Sequence, residues 1–403
     1  MVKNIEERYD DSFKRIGLSR IVEISELARK LAPEFEQRTG QPFIYFQRGE
    51  LDLPLPDKIK DAFIGSLEKG KTKYPKSGGE IAFKKAVIDY HAEKGISLSP
   101  ENIVATYGGQ EGLQLAFALF RGSRAAGFGP CWSCILQNIA PYTETEFTLV
   151  PLRQKDSTFK FNEAELERTL KHVDLFYFND PHNPTGKVFS REEVEKIDYL
   201  CEKNDVILIS DEPYNEILFD GRSHVSITEL DNQHAITAFT FSKSFSATGL
   251  RIGYAISKHQ RTIELMTRGN YTQTAGVHTP TQYAFADFLT NREKREELLK
   301  SRRERFQARR DIMYETLKPV LNGAPKPEGA FYFFPDLRRF APASKNIDGG
   351  LLELFLNNGI AIVPGGEFGN GYEGYARFSF SGTSQELTKI GSERVLKILE
   401  QPR

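Results

Sequence analysis

The sequence predicts an α/β fold, with a large domain built on a mostly parallel sheet flanked by helices and a smaller α+β domain beside it. Three observations carry this. Between residues 102 and 241, short β-rich runs alternate with helical patterns. Runs such as Val206-Ile207-Leu208-Ile209 are apolar at every position, which suits parallel strands buried on both faces. Past about residue 290 the texture changes to a highly charged helical run and then to a second, mixed pattern. A chain of 403 residues has room for both units and a sizeable core.

Strands are expected at 103–107, 174–178, 206–210 and 235–239. In α/β sheets, ligand groups gather at the carboxyl ends of such strands. Ser190-Arg191-Glu192-Glu193 is a capping box, and Val194, Ile197, Tyr199, Leu200 and Cys201 supply the apolar stripe of the helix it opens. A long helix is expected from Asn291 to Leu317, with Leu298, Arg302, Phe306 and Ile312 among many charges, one face buried and the rest solvated. The expected division is 1–45 as an N-terminal arm packed against the small domain, 46–290 as the large domain, and 291–403 as interdomain helix and small domain. The small domain thus draws on both termini. No repeat or low-complexity segment is present.

Composition narrows the function. With 54 basic and 55 acidic residues interspersed, the chain shows no broad basic face for nucleic acid. No apolar stretch reaches the length of a membrane span and none marks a secretory leader, so the chain reads as cytoplasmic. Three cysteines are too few for a disulfide scaffold. Cys131-Trp132-Ser133-Cys134 has no second pair to complete a zinc site, which points to packing and to no metal. Asn270-Tyr271-Thr272 matches a glycosylation acceptor by chance. Gly65-Ser66-Leu67-Glu68-Lys69-Gly70-Lys71-Thr72 satisfies the P-loop expression, but Ile59, Phe63 and Leu67 recur at helical spacing before it and Gly70 reads as a helix C-terminal cap.

Three segments carry chemistry. Lys243 follows the strand 235–239 and stands eight residues before Arg251, an arrangement that suits a Schiff-base amine beside a bound phosphate. Taken alone, a lysine between serines is more often a solvated loop residue. Gly108 and Gly109 stand where a strand turns into a helix, a place where backbone N–H groups bind anions or where the chain simply turns. Asp211 ends a buried strand and needs either a cationic partner or a turn to cap.

Read together, Asn179-Asp180-Pro181-His182-Asn183-Pro184-Thr185-Gly186, Asp211-Glu212-Pro213-Tyr214, Ser242-Lys243 and Gly249-Leu250-Arg251-Ile252-Gly253-Tyr254 resemble the class I/II aminotransferases of pyridoxal-phosphate fold type I. Order and spacing match over roughly residues 45 to 380. The resemblance implies pyridoxal 5'-phosphate as cofactor, with Lys243 forming the internal aldimine and shuttling the proton, and Lys243, Asp211 and Tyr214 as the catalytic set. It implies that Asp211 holds the ring nitrogen, that Asn183 and Tyr214 reach the ring 3'-oxygen, and that Trp132 stacks on the ring, although a lone tryptophan also fills cores. Gly108, Gly109, Gln110, Thr240, Ser242 and Arg251 would form the phosphate cup, and Tyr74 would reach the phosphate of a neighbouring subunit in a homodimer. Arg377 would clamp the substrate α-carboxylate, with Asn183 and Gly49 beside it. The implied reaction moves the amino group of an L-amino acid to a 2-oxo acid by a ping-pong route. The alternative is cyclase, elimination or oxidase chemistry on the same site.

Three positions depart from the common family wording: Arg48, Leu51 and the run 270–274. They bear on substrate and subunit contacts rather than on cofactor. A lysine often stands at position 110 in the dicarboxylate branch, and the neutral Gln110 argues against aspartate or glutamate as donor.

Overall fold

The computed structural model describes residues 5–321, 323–341 and 346–401. Its centre is a seven-stranded sheet in the order Ile103–Thr106, Gly253–Ile256, Ala235–Thr240, Ile207–Asp211, Leu175–Asn179, Arg124–Gly129, Glu146–Pro151. All neighbours are parallel except Gly253–Ile256, which runs antiparallel to both of its partners. The four expected strands are present, each within a residue of its expected start and end. The other three lie outside the expected set for physical reasons. Arg124–Gly129 has no β-branched residue, and Gly127 is required because a Cβ there would sit 2.9 Å from the Tyr177 carbonyl oxygen. Glu146–Pro151 is an edge strand with only one fully buried position, so no continuous apolar run marks it. Gly253–Ile256 is four residues long and directly follows the loop that presents Arg251.

Local rules set the helices. Ser190 accepts from the Glu193 amide at 3.2 Å while the Glu193 carboxylate accepts from the Ser190 amide at 3.0 Å, so the capping box opens the helix Arg191–Lys203. The helix Asp57–Glu68 runs into the P-loop-like run, and Gly70 closes it with φ 65°, in the left-handed region, its amide donating to the Leu67 carbonyl at 2.9 Å. That run therefore ends a helix rather than following a strand, which removes the nucleotide reading. Asn270 is buried inside the helix Gln260–Thr274 and donates to Glu111 at 3.0 Å, out of reach of a glycan.

The long helix spans Arg292–Leu317 with Asn291 as its N-cap. Its buried face overlaps the expected one in part: Arg302 and Phe306 are buried, together with Arg295, Leu299, Arg309, Arg310, Met313 and Leu317, whereas Leu298 and Ile312 are half-buried. The arginines can be buried because each is paired or hydrogen-bonded. Arg309 makes a fork-to-fork pair with Asp52 at 2.7 and 2.8 Å, and Arg310 does the same with Asp220. The first of these pairs fixes the chain just beyond Gly49 and Glu50, close to the mouth of the cavity described below.

A second sheet joins Tyr332–Phe333, Ala376–Ser379 and Val363–Pro364 in antiparallel order, and Ile44–Tyr45 pairs in parallel with Ile360–Ala361. Helix Arg20–Thr39 packs Ile24, Ala28, Ala32 and Phe35 into the same core as Phe355, Phe378 and Val395. The preceding helix, Asp11–Arg15, lies elsewhere: Phe13 meets Tyr142 edge-on at 5.6 Å, and the Gly17 amide donates to the Gln137 carbonyl at 3.2 Å. Among the described residues no helix is long and apolar enough to cross a membrane.

Candidate active site

At the carboxyl ends of the parallel strands a cavity of about 460 Å³ opens between the two sheets. Lys243 enters it just past the end of Ala235–Thr240, held by a hydrogen bond from Nζ to the Gly49 carbonyl at 2.7 Å. Burial, followed by the nearby charges of Arg377 and Arg251, lowers the amine to a pKa of about 8. Gly49 is required here, since any side chain would overlap the Tyr332 hydroxyl.

Asp211 is the last residue of Ile207–Asp211 and lines the same cavity, 5% exposed. Burial raises its pKa to about 7, although the Tyr177 hydroxyl donating to Oδ2 at 2.7 Å and the charge of Lys243 favour the carboxylate. Asn179 fixes the strand end through Nδ2, which donates to the Asp211 carbonyl at 2.8 Å. Oδ2 is thus engaged, while Oδ1 has no hydrogen-bond donor among the described residues, which suits a cationic partner from the cavity side.

Opposite the amine, the helix Gly108–Ala118 points its N-terminus at the cavity. Gly109 and Gln110 line the wall, and Gly108 stands behind them with φ 71°, where a Cβ would lie 3.0 Å from the Arg251 guanidinium. Thr240 and Ser242 place their hydroxyls 2.9 Å apart at the same wall. Arg251 is held in position by the Thr248 carbonyl at 2.8 Å. A helix N-terminus, two hydroxyls and a guanidinium make an anion site of phosphate chemistry.

Arg377, from the strand Ala376–Ser379, forms the far wall and is 2% exposed. Its Nη1 donates to Asn183 Oδ1 at 3.0 Å and its Nη2 to the Gln47 carbonyl at 2.8 Å, while Nε has no partner among the described residues. Tyr332 lies 4.4 Å under the guanidinium and shares a 2.8 Å hydrogen bond with the Tyr214 hydroxyl. Trp132 is half-buried in the wall. The Asn183-Pro184 and Asp180-Pro181 bonds are both cis.

Of the fourteen expected site residues, twelve line this cavity; Gly108 backs it, and Tyr74 lies outside it, 89% exposed. Sequence reasoning missed Tyr177, Asn179, Tyr332 and Arg29. Tyr177 and Asn179 are two apart on one strand, and such paired polar positions inside a buried run were the available signal. Arg29, exposed on the helix Arg20–Thr39, has no local signature. The thiols of Cys131 and Cys134 are free, and burial with the Asp211 charge pushes both up, Cys134 to about 12, which disfavours the thiolate at both. Among the described residues no group of His, Cys, Asp and Glu could hold a metal ion.

The donor set fits pyridoxal phosphate: an amine for its aldehyde, an acid with a free oxygen for its ring nitrogen, and an anion cradle for its phosphate. The comparisons agree. The family model for aminotransferase class I and II matches residues 41–394. An aspartate/prephenate aminotransferase of Thermus thermophilus is 30% identical over 95% of this chain and 99% of its own length, and an aspartate aminotransferase of Pyrococcus horikoshii is 29% identical over 96% and 95%. The solved structure of Thermus thermophilus aspartate aminotransferase with maleate superposes with a TM-score of 0.88 at 27% identity, covering 97% of this chain and 99% of that one. The chain therefore belongs to the class I and II aminotransferases, enzymes that depend on pyridoxal phosphate.

Proposed function

We propose that Lys243, Asp211 and Tyr214 carry the transfer of an amino group from an L-amino acid to a 2-oxo acid, with Arg377 binding the α-carboxylate of both. The observation that carries this reading is the convergence of the Lys243 amine, the Asp211 carboxylate and the Arg377 guanidinium on one cavity. Bound pyridoxal phosphate supplies an aldehyde that condenses with amines and a ring that accepts electrons. Lys243, with a pKa lowered to about 8, has far more neutral amine near neutrality than an ordinary lysine, so Nζ can take the substrate Cα proton and return it. Asp211 offers Oδ1 to a protonated ring nitrogen, and burial makes that charge pairing strong. Tyr214 is kept protonated by burial and by its contact with Tyr332, which leaves its hydroxyl as a donor. Asn183 has its Oδ1 occupied by Arg377, so the amide N–H₂ is what it presents to the cavity. Thr240, Ser242, Arg251 and the amides at Gly109 and Gln110 take the phosphate, Trp132 covers the ring, and Gly49 borders the substrate. Because a single buried arginine serves both carboxylates, the first product leaves before the second substrate enters.

The donor's side chain faces Arg29 and Arg48. Arg29 has no ion-pair or hydrogen-bond partner among the described residues, and Arg48 has only Glu50 at 3.9 Å. Gln110 alone argues against an acidic donor, but two guanidiniums on the same wall outweigh a neutral amide. We therefore assign a dicarboxylic donor, in keeping with relatives named for aspartate. The reading includes a cytoplasmic homodimer, supported by the outward Tyr74 and by exposed Ile64, Leu67 and Tyr271, and a division into units near residues 45 and 290.

The test is single-turnover conversion of the loaded enzyme to its pyridoxamine form with aspartate, glutamate, alanine, phenylalanine and arginine. Fastest conversion by a dicarboxylate supports the reading. Consumption of donor without pyridoxamine formation would replace transfer by cyclase, elimination or oxidase chemistry.

A further inference from the structure

Behind the cavity wall three buried titratable side chains meet. His224 Nε2 lies 3.4 Å from Asp180 Oδ2 and 3.7 Å from Glu212 Oε2, with side chains 7%, 0% and 1% exposed. None of these three atoms has a hydrogen-bond partner elsewhere among the described residues. The remaining oxygens of both carboxyls are committed to the backbone and its neighbours. Asp180 Oδ1 accepts from the Phe189 amide at 3.1 Å, which closes the loop that contains Asn183. Glu212 Oε1 accepts from the Ser210 hydroxyl at 2.9 Å and the Ile227 amide at 3.1 Å.

We propose that Asp180, His224 and Glu212 share a proton in a buried triad that locks the Asn183 loop against the Asp211 strand end, making His224 a positioning residue for amino transfer. The inference rests on the site reading above, in which Asn183 and Asp211 contact the cofactor. Two carboxylates facing an imidazole lone pair would leave three buried acceptors and no donor, an arrangement that burial penalises. A proton between Nε2 and the carboxyl oxygens relieves it. The same burial pushes Asp180 up, Glu212 up to about 7 and His224 down to about 3, so each group by itself favours its uncharged form. Lys94 and Glu216 on one side, and Lys187 and Glu193 on the other, flank the triad with opposite charges.

Both anchored carboxyls adjoin cavity residues. The Asp180 amide donates to the Asp211 carbonyl at 3.1 Å, and Asn183 is tied back through its own amide to Asn179 Oδ1 at 2.7 Å. Glu212 follows Asp211 directly, and its amide donates to the Ala238 carbonyl at 3.0 Å. A few tenths of an ångström lost at the triad therefore reach Asn183 and Asp211, while Arg377 keeps its second anchor, Nη2 donating to the Gln47 carbonyl at 2.8 Å. Supporting groups of this kind typically change function by about 10- to 100-fold.

The experiment compares His224→Ala and His224→Gln holoenzymes by kcat, KM for the amino donor, cofactor dissociation constant and the visible circular dichroism band of the bound cofactor. In His224→Ala, kcat falls and cofactor dissociation rises by about tenfold or more, the dichroic band changes, and KM stays within about twofold. His224→Gln, which keeps a donor, recovers most of the loss. If His224→Ala lowers the melting temperature but leaves kcat, cofactor affinity and the dichroic band unchanged, the triad is merely structural and the proposal fails. If that variant does not fold, the near-isosteric Asp180→Asn and Glu212→Gln must show the same pattern, and unchanged values there overturn it equally. An Asp211→Asn variant with unaltered cofactor binding and turnover would instead sink the site reading on which the triad rests.

Discussion

Arg377 and Asn183 are joined by a 3.0 Å hydrogen bond from Nη1 to Oδ1, so the group that would clamp the substrate and the amide that faces the cofactor share one geometry. Replacing Arg377 with lysine keeps a charge but loses the planar fork. The expected outcome is a rise of about 10- to 100-fold in KM for every amino acid, matching a charged hydrogen bond of roughly 1.5–3 kcal/mol. Because Asn183 loses its partner as well, the visible band of the lysine-bound cofactor should shift. Steady-state kinetics with an absorbance spectrum checks both, and a KM change with an unmoved spectrum would separate the two residues.

Lys243 provides a prediction in pH. Its pKa is lowered to about 8 by burial first and then by the Arg377 and Arg251 charges. Below that value the amine is mostly protonated and unreactive, so the rate of cofactor incorporation into apoenzyme should rise with pH through about 8 and level off above it. Removing one positive neighbour, as in Arg377→Met, moves the inflection upward. An inflection above 10 in the unaltered protein would place the lysine in solvent.

Asp211→Asn should affect stability and turnover in opposite directions. The folded apoprotein holds Asp211 at about 7, against an ordinary value of 3.8. A raised folded value means that the group's contribution is fully favourable below pH 4 and is lost as pH rises through 7, by up to about 4 kcal/mol. The Asp211→Asn apoprotein should therefore match the unaltered apoprotein near pH 4 and melt higher at pH 8. Turnover of the loaded variant should fall by about a hundredfold or more, since the amide cannot hold a protonated ring nitrogen. Equal melting temperatures at pH 8 would refute the buried-acid account.

What was legible in the sequence follows from whether a signal is local. Val206-Ile207-Leu208-Ile209 and the Ser190 capping box each announce their element within a few residues, the glycines at 108 and 109 mark the strand-to-helix turn, and the strand ends that carry Asp211 and Lys243 follow from the same local patterns. Arg124–Gly129 did not, because its strand character comes from the sheet around it rather than from β-branched residues. Tyr332 and Arg29 join the cavity only through the folding of distant segments, so no spacing could reveal them. The long helix is legible with Arg302 and Phe306 on its buried face, but Arg309 and Arg310 are not, because they are buried by partners as remote as Asp52 and Asp220.

Tyr74 supplies the prediction for assembly. Tyr74 lies outside its own cavity and is 89% exposed, which leaves its ring free to meet a second chain. Light scattering should show a dimer, and mixing Tyr74→Ala with Lys243→Ala subunits should regenerate measurable activity through heterodimers with one intact site. A monomer, or proven subunit exchange without recovery, would remove Tyr74 from the site.

Arg29 is the sharpest probe of substrate choice. It lines the cavity with no ion-pair or hydrogen-bond partner among the described residues, on the helix Arg20–Thr39, whereas Arg377 is committed to Asn183 and Gln47. An exposed guanidinium contributes little to fold stability, so Arg29→Ala should melt within a degree or two of the unaltered protein. If it holds a distal carboxylate, KM for aspartate or glutamate should rise by about tenfold or more, the worth of one charge-assisted hydrogen bond, while KM for alanine stays put. Arg48→Ala should give a smaller effect, because Glu50 already offsets part of its charge at 3.9 Å. Equal changes for alanine and aspartate would mean that Arg29 shapes the cavity mouth without reading the side chain, and the neutral Gln110 would then decide against an acidic donor.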